Sequence, residues 1–186
     1  MKTAGKIERV IAYSLMAFFR PLRNRWASAI YIRFLGRWGV NFTGEPAYIS
    51  SSGVSIDGTD YSLVTIGKGV TISSFIRILT HDWSPFTIGK SMGVNPTKPL
   101  GRLLPVSIGD YSFIGTGSIL MPGARIGCGC LIGAGTVVRG KIPDYSIVIG
   151  SPGQIVGDTR DYMVKKYPDY ADAIRQSACV APPDGE

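Results

Sequence analysis

The segment IGDYSF-IGTGSI-LMPGAR-IGCGCL-IGAGTV-VRGKIP, residues 108–143, repeats itself every six residues. Each hexad opens on an aliphatic side chain: Ile108, Ile114, Leu120, Ile126, Ile132 and Val138. Six residues match neither the turn of an amphipathic helix nor the alternation of a strand. They match a chain wound into stacked triangular coils, one hexad to each flat side and three hexads to a coil. The lead residue then points into a prism too narrow for two large side chains at one level. The fifth position is accordingly small in most hexads: Ser112, Ser118, Ala124, Cys130 and Thr136. Glycine at the second position of four hexads relieves crowding near the corners. Each coil pairs its backbone with the coils above and below, and only the two ends need caps.

Upstream, the repeat is tight at Ile66-Gly-Lys-Gly-Val-Thr, Ile72-Ser-Ser-Phe-Ile-Arg and Ile78-Leu-Thr-His-Asp. It is poorly kept from Asn41 to Thr65, which reads as an irregular first coil. From Trp83 to Pro105 it stops, in a 23-residue excursion that holds Pro85, Pro96, Pro99 and Pro105. Long excursions from compact domains are usually functional. Residues 158–176 read as one or two short helices parted by Pro168, and 177–186 as a loose tail. The chain thus divides into a leader (1–40), a coiled body (41–157) with the loop 83–105, and a C-terminal segment (158–186).

The formal charge of +7 lies entirely in the leader, where Lys2, Lys6, Arg9, Arg20, Arg23, Arg25, Arg33 and Arg37 face a single acid, Glu8. The other twelve basic and twelve acidic residues cancel. A nucleic-acid binder would spread basic and aromatic residues over its folded surface, so that class is excluded as the expected partner. Ile7, Ile11, Leu15 and Phe18 recur at helical spacing with Lys6 and Arg9 roughly opposite. Pro21 should break this helix, and Ala27, Ile30, Tyr31, Phe34 and Trp38 form the apolar side of a second. The longest uncharged run, Val10 to Phe19, is ten residues and falls short of the ~20 that a bilayer requires. No small-residue cleavage pattern follows it, so a signal peptide is not expected. Two readings stay open: a segment lying peripherally on an anionic membrane surface, or a pair of helices covering the first coil. The expected compartment is the cytoplasm, peripheral to the inner face of its membrane in the first case.

Three cysteines, Cys128, Cys130 and Cys179, have the spacing of neither a disulfide framework nor a zinc site. Cys130 takes the small inward position, and Cys128 reads as an incidental surface thiol. No metal is expected.

His81 is the only histidine. It stands where the repeat gives way to the excursion, and an imidazole can accept a hydroxyl proton at neutral pH. Asp82 either orients it, binds an acceptor, or is merely solvated. Trp83, Tyr61, Phe86 and Tyr111 are candidates for stacking on a sugar ring.

The motifs Ile108-Gly-Asp-Tyr-Ser-Phe-Ile-Gly, Ile132-Gly-Ala-Gly-Thr-Val-Val, Ile142-Pro-Asp-Tyr-Ser-Ile-Val-Ile-Gly-Ser-Pro and Thr80-His81-Asp82 resemble the hexapeptide-repeat acyltransferases. The resemblance spans about residues 46 to 157 and implies a left-handed parallel β-helix, mainly β in class, assembled as a homotrimer. It implies acetyl-CoA as co-substrate, His81 as general base, and an oxyanion donor at the corner of Gly115 and Thr116. Gly133 and Ala134 would meet the pantetheine arm in a groove between adjacent β-helices. Where the family often has Thr-Lys after the valines, this chain has Arg139-Gly140-Lys141, and it has Gln154 where a basic residue is common. Arg139, Gln154, Lys141 or Arg160 would then share the phosphate and adenine contacts. With the basic leader, the expected activity is O-acetylation of a sugar hydroxyl on an envelope polysaccharide, lipopolysaccharide or lipid-linked saccharide. An antibiotic or amino-sugar N-acetyltransferase is the alternative, and a noncatalytic structural β-helix is the reading from another class.

Overall fold

A computed structural model describes residues 6–19, 24–58 and 60–178. Two helices, α1 (Lys6–Phe19) and α2 (Asn24–Trp38), lead into the strands. The first coil consists of β1 (Asn41–Phe42), β2 (Tyr48–Ile49) and β3 (Ser55–Ile56), and the second of β4 (Val64–Ile66), β5 (Thr71–Ile72) and β6 (Arg77–Ile78). The chain leaves the prism through β7 (His81–Asp82) and α3 (Ser84–Ser91), then returns on β8 (Arg102–Leu103). The third coil is β9 (Val106–Ile108), β10 (Phe113–Ile114) and β11 (Ile119–Leu120). The fourth is β12 (Arg125–Ile126), β13 (Leu131–Ile132) and β14 (Val137–Val138), and β15 (Lys141–Ile142) with β16 (Ser146–Ile149) begins a fifth. β17 (Gln154–Asp158) folds back on β16, followed by α4 (Thr159–Lys166) and α5 (Ala171–Gln176).

The fold is a left-handed parallel β-helix with three flat sides. Sheet A runs β1-β4-β9-β12-β15, sheet B runs β17-β16-β13-β10-β5-β2, and sheet C runs β14-β11-β6-β3. Every pairing within them is parallel except β16 with β17. The register stacks the lead residues into aliphatic ladders: Ile66, Ile108, Ile126 and Ile142 in sheet A, and Ile56, Ile78, Leu120 and Val138 in sheet C. The small fifth positions are buried beside them, and the hydroxyls of Ser112 and Ser118 find backbone partners. Ser118 Oγ donates to the Gly115 carbonyl at 2.7 Å, and Ser112 Oγ donates to that of Gly127 at 2.7 Å.

The first coil has no coil beneath it, so its backbone groups need another partner. α2 supplies one. Tyr31 OH donates to the Val54 carbonyl at 2.8 Å, the Ile49 N–H donates to Ser28 Oγ at 3.0 Å, and Ala27, Tyr31, Leu35 and Trp38 are buried against the coil. The residues between the helices, with Pro21, lie outside the described residues, as does Cys179. Cys130 fills the prism as expected. Cys128 departs from the expected surface thiol: it is 4% exposed and disulfide-bonded. The excursion also differs from an aperiodic loop. Pro85 sits in the first turn of α3, where its missing N–H costs nothing, and Asp82 Oδ1 accepts from the Ser84 N–H at 2.9 Å. Eight residues holding a proline and a glycine carry too little periodicity for such a helix to be legible.

Candidate active site

His81 lies on β7, which pairs antiparallel with β8 in the register His81↔Leu103 and Asp82↔Arg102. The hairpin stands at the edge of sheet C that the chain reaches after crossing it, since β6 ends three residues earlier at Ile78. The imidazole is largely covered, and its Nδ1 is 3.2 Å from Asp57 Oδ2. The other oxygen of that carboxylate, Oδ1, accepts from the Thr80 N–H at 2.6 Å and from Thr80 Oγ1 at 2.8 Å. Asp57 is therefore held from two sides by a buried threonine before it meets the imidazole. A carboxylate at Nδ1 fixes the proton on that nitrogen in the neutral ring, which leaves the lone pair on Nε2.

The orienting carboxylate is thus Asp57, which the sequence did not single out, and not Asp82. Asp82 is occupied at the head of α3. Hydrogen bonds from Ser84 hold its carboxyl below the usual carboxylate range, assisted by the charges of Arg102 and Arg139. Asp57 follows the irregular β3, and the alignment of that coil with the next is the only sequence signal that could have found it. The Asp57 N–H donates to the Ile78 carbonyl at 3.0 Å, which sets the acid level with Leu79, two residues before the histidine.

Trp83 adjoins the imidazole, its ring centroid 5.8 Å from that of His81 with the planes tilted by 39°. The indole is 45% exposed and rests on Gly101, where any Cβ would fall inside the ring. Glycine is required there by this close approach. The other stacking candidates have contacts of their own, although the Phe86 N–H donates to the Trp83 carbonyl at 3.1 Å and keeps Phe86 one turn away along α3. Tyr61 is buried against Trp38 with ring centroids 5.7 Å apart, and Phe86 lies under the Lys90 ammonium at 4.2 Å. Tyr111 covers Gly69 on another corner.

The residues expected to meet the co-substrate occupy the opposite edge of sheet C, before its strands begin. Gly115, Thr116, Gly133 and Ala134 stack in consecutive coils: the Gly115 N–H donates to the Ile132 carbonyl at 2.8 Å, and the Gly135 N–H to that of Thr116 at 2.8 Å. Thr116 and Ala134 are exposed, and a Cβ on Gly135 would meet nothing within 4 Å, so the corner is open and flat. Gln154, paired with Ile149, joins this edge. Arg139 does not. It follows β14 on the His81 edge, where its charge acts on Asp82. Arg160 is engaged by Asp158 at 2.7 Å and lies 4.3 Å over the Tyr145 ring. Lys141 belongs to sheet A. Thr116 and the far edge are five residues apart, roughly 15 Å at ~3.3 Å per residue. One chain therefore presents His81 and the small-residue corner at opposite edges of one sheet.

Among the described residues no group of three His, Cys, Asp or Glu side chains is placed to hold a metal ion.

Residues 105–140 match the family model described as bacterial transferase hexapeptide (six repeats). The putative acetyltransferase YJL218W of Saccharomyces cerevisiae is 30% identical over 142 residues, which cover 73% of this chain and 72% of that protein. The putative lipopolysaccharide biosynthesis O-acetyl transferase WbbJ of Escherichia coli is 34% identical over 96 residues, 50% of this chain and 49% of that one. The chain spans half or less of the length of the first curated relatives it matches. Among solved structures, a galactoside acetyltransferase in complex with coenzyme A superposes with a TM-score of 0.53 at 19% identity, covering 83% of this chain and 82% of that one. At that identity the likeness speaks for the fold.

Proposed function

Because the chain belongs to the hexapeptide-repeat acetyltransferase family, we propose that it transfers an acetyl group from acetyl-CoA to a saccharide hydroxyl. The observation that carries this reading is the Thr80–Asp57–His81 chain, which leaves Nε2 of the imidazole as a proton acceptor beside an exposed indole. His81 Nε2 takes the acceptor's hydroxyl proton, and the oxygen attacks the thioester carbonyl carbon. The oxyanion of the tetrahedral intermediate accepts from the backbone N–H at Thr116. The carbon–sulfur bond then breaks, and the departing thiolate takes its proton from the imidazolium. No protein nucleophile enters. Gly133 and Ala134 leave room for the pantetheine arm, and Gln154 lies on its path.

Since base and small-residue corner are separated across sheet C, the reaction requires a second copy whose corner faces this His81. A homotrimer supplies that arrangement three times. The outward apolar residues of sheet B, with Phe113 exposed and Leu131 and Ile147 half-buried, suit such a contact. The lipopolysaccharide relative favours an envelope or lipid-linked saccharide as acceptor, with the reaction on the cytoplasmic side where acetyl-CoA is made. Mass spectrometry of surface glycan from cells with and without the gene tests this. An acetyl group lost with the gene supports the reading, and an unchanged glycan removes the acceptor class.

A further inference from the structure

The two N-terminal helices are amphipathic in opposite senses. α2 turns its apolar side to the first coil, whereas α1 turns Glu8 and Arg9 inward. Glu8 Oε1 bridges Arg37 Nε at 3.2 Å, and the Arg9 guanidinium carbon lies 5.7 Å from the Tyr61 ring centroid. Of the described α1 side chains, only Ala12 is buried. The outward side holds Ile7, Val10, Ile11 and Leu15, which are 77%, 64%, 50% and 40% exposed. Ser14, Ala17 and Phe18 are exposed as well. At 100° per residue these seven positions fill one uncharged arc of about 160°. A continuous exposed apolar face of this kind marks an interaction surface.

Charge decides what covers it. A groove of about 400 Å³ between the helices is lined by Leu15, Ile30 and Phe34 together with Arg33 and Arg37. Arg25, Arg33 and Arg37 are exposed, and residues 1–40 hold the whole formal charge of +7. A second copy docking here would set like charge against like. An anionic bilayer offers an acyl boundary to the apolar arc and negative headgroups to the arginines. We propose that α1 lies in the plane of an anionic lipid bilayer with this arc in the headgroup boundary, while α2 stays in the protein as the cap of the first coil. No described helix is long and apolar enough to cross a membrane. The docking would bring the coils to a lipid-borne acceptor. That consequence rests on the saccharide reading above, and the docking itself does not.

The test floats the full-length protein with phosphatidylcholine vesicles made with and without phosphatidylglycerol. Co-flotation is expected only with phosphatidylglycerol at low salt, and the affinity should fall by at least about tenfold as sodium chloride approaches ~0.5 M. The double variant Val10→Asp, Ile11→Asp, at two exposed positions, should no longer float while keeping its melting temperature and its turnover of acetyl-CoA with a soluble sugar. Failure of the wild type to float on phosphatidylglycerol vesicles at low salt overturns the proposal. So does a fall in oligomer mass by light scattering in the double variant when the wild type ignores vesicles, because the face is then a contact between copies. Flotation without acetyl transfer would sink the catalytic reading and leave the docking intact.

Discussion

The two edges of sheet C are built by opposite means. The edge of Thr116 and Ala134 is a product of the repeat, in which small residues recur one coil apart and the backbone defines the surface. The edge of His81 exists because the repeat is interrupted: β7, α3 and β8 leave the prism and bring an imidazole and an indole to the carboxylate of Asp57, which follows β3 in the first coil. A periodic chain can offer the same flat corner many times, which suits a long flexible co-substrate. It cannot place three different side chains around one atom. That requires a break in the period, and the break is where the titratable groups converge.

The strongest way to break this comparison is at the base. His81→Ala should lower the transfer rate by roughly 10²–10⁴ while leaving the calorimetric affinity for acetyl-CoA nearly intact. Normal turnover would show that the interrupted edge has no catalytic part. Asp57→Asn comes next, as a positioning change. The Thr80 hydrogen bonds retain an oxygen acceptor, so the fold should hold, but kcat should fall by about 10–10² with KM for acetyl-CoA unchanged. If kcat is unaffected, the imidazole needs no orienting acid. Gly101→Val drives a side chain into the Trp83 ring, and KM for the acceptor should rise by about tenfold with acetyl-CoA binding unchanged. Equal losses for both substrates would mean that the hairpin has unfolded and the indole is no specific platform. The smallest effect belongs to Asp82→Ala, expected to stay within about twofold of normal turnover at neutral pH. Its carboxyl titrates below the usual range, so its bond to Ser84 is complete at neutral pH and is lost only as the pH falls through that lowered value.

The hexads made the prism legible because an inward aliphatic residue every six positions has no competing explanation. The same logic gave the buried fifth positions and the place of His81 at the break. Asp57 was not legible. Strands β1, β2 and β3 are spaced by seven residues, and β4 begins later still, so the acid's coil position cannot be counted from the hexads. Adjacency in sequence left Asp82 open as a partner, an acceptor ligand or a solvated acid, whereas in a strand adjacent side chains point to opposite faces. In α1 the periodicity named an apolar face without a sign. Whether Ile7 and Ile11 face the protein or away from it depends on α2, whose own apolar side already fills the space above the first coil.

The central claim is that one site draws its base from one copy and its co-substrate corner from another. Ala134→Trp should fill the corner and weaken acetyl-CoA binding, so this variant and His81→Ala are each nearly inactive alone at low acetyl-CoA. Co-expressed with distinct tags and purified as mixed assemblies, the two should regain about a third of wild-type turnover, because a cyclic trimer that holds both variants pairs an intact His81 with a neighbour's intact Ala134 at one of its three interfaces. Mixed assemblies that stay as inactive as either parent would place base and corner in the same copy and contradict the account.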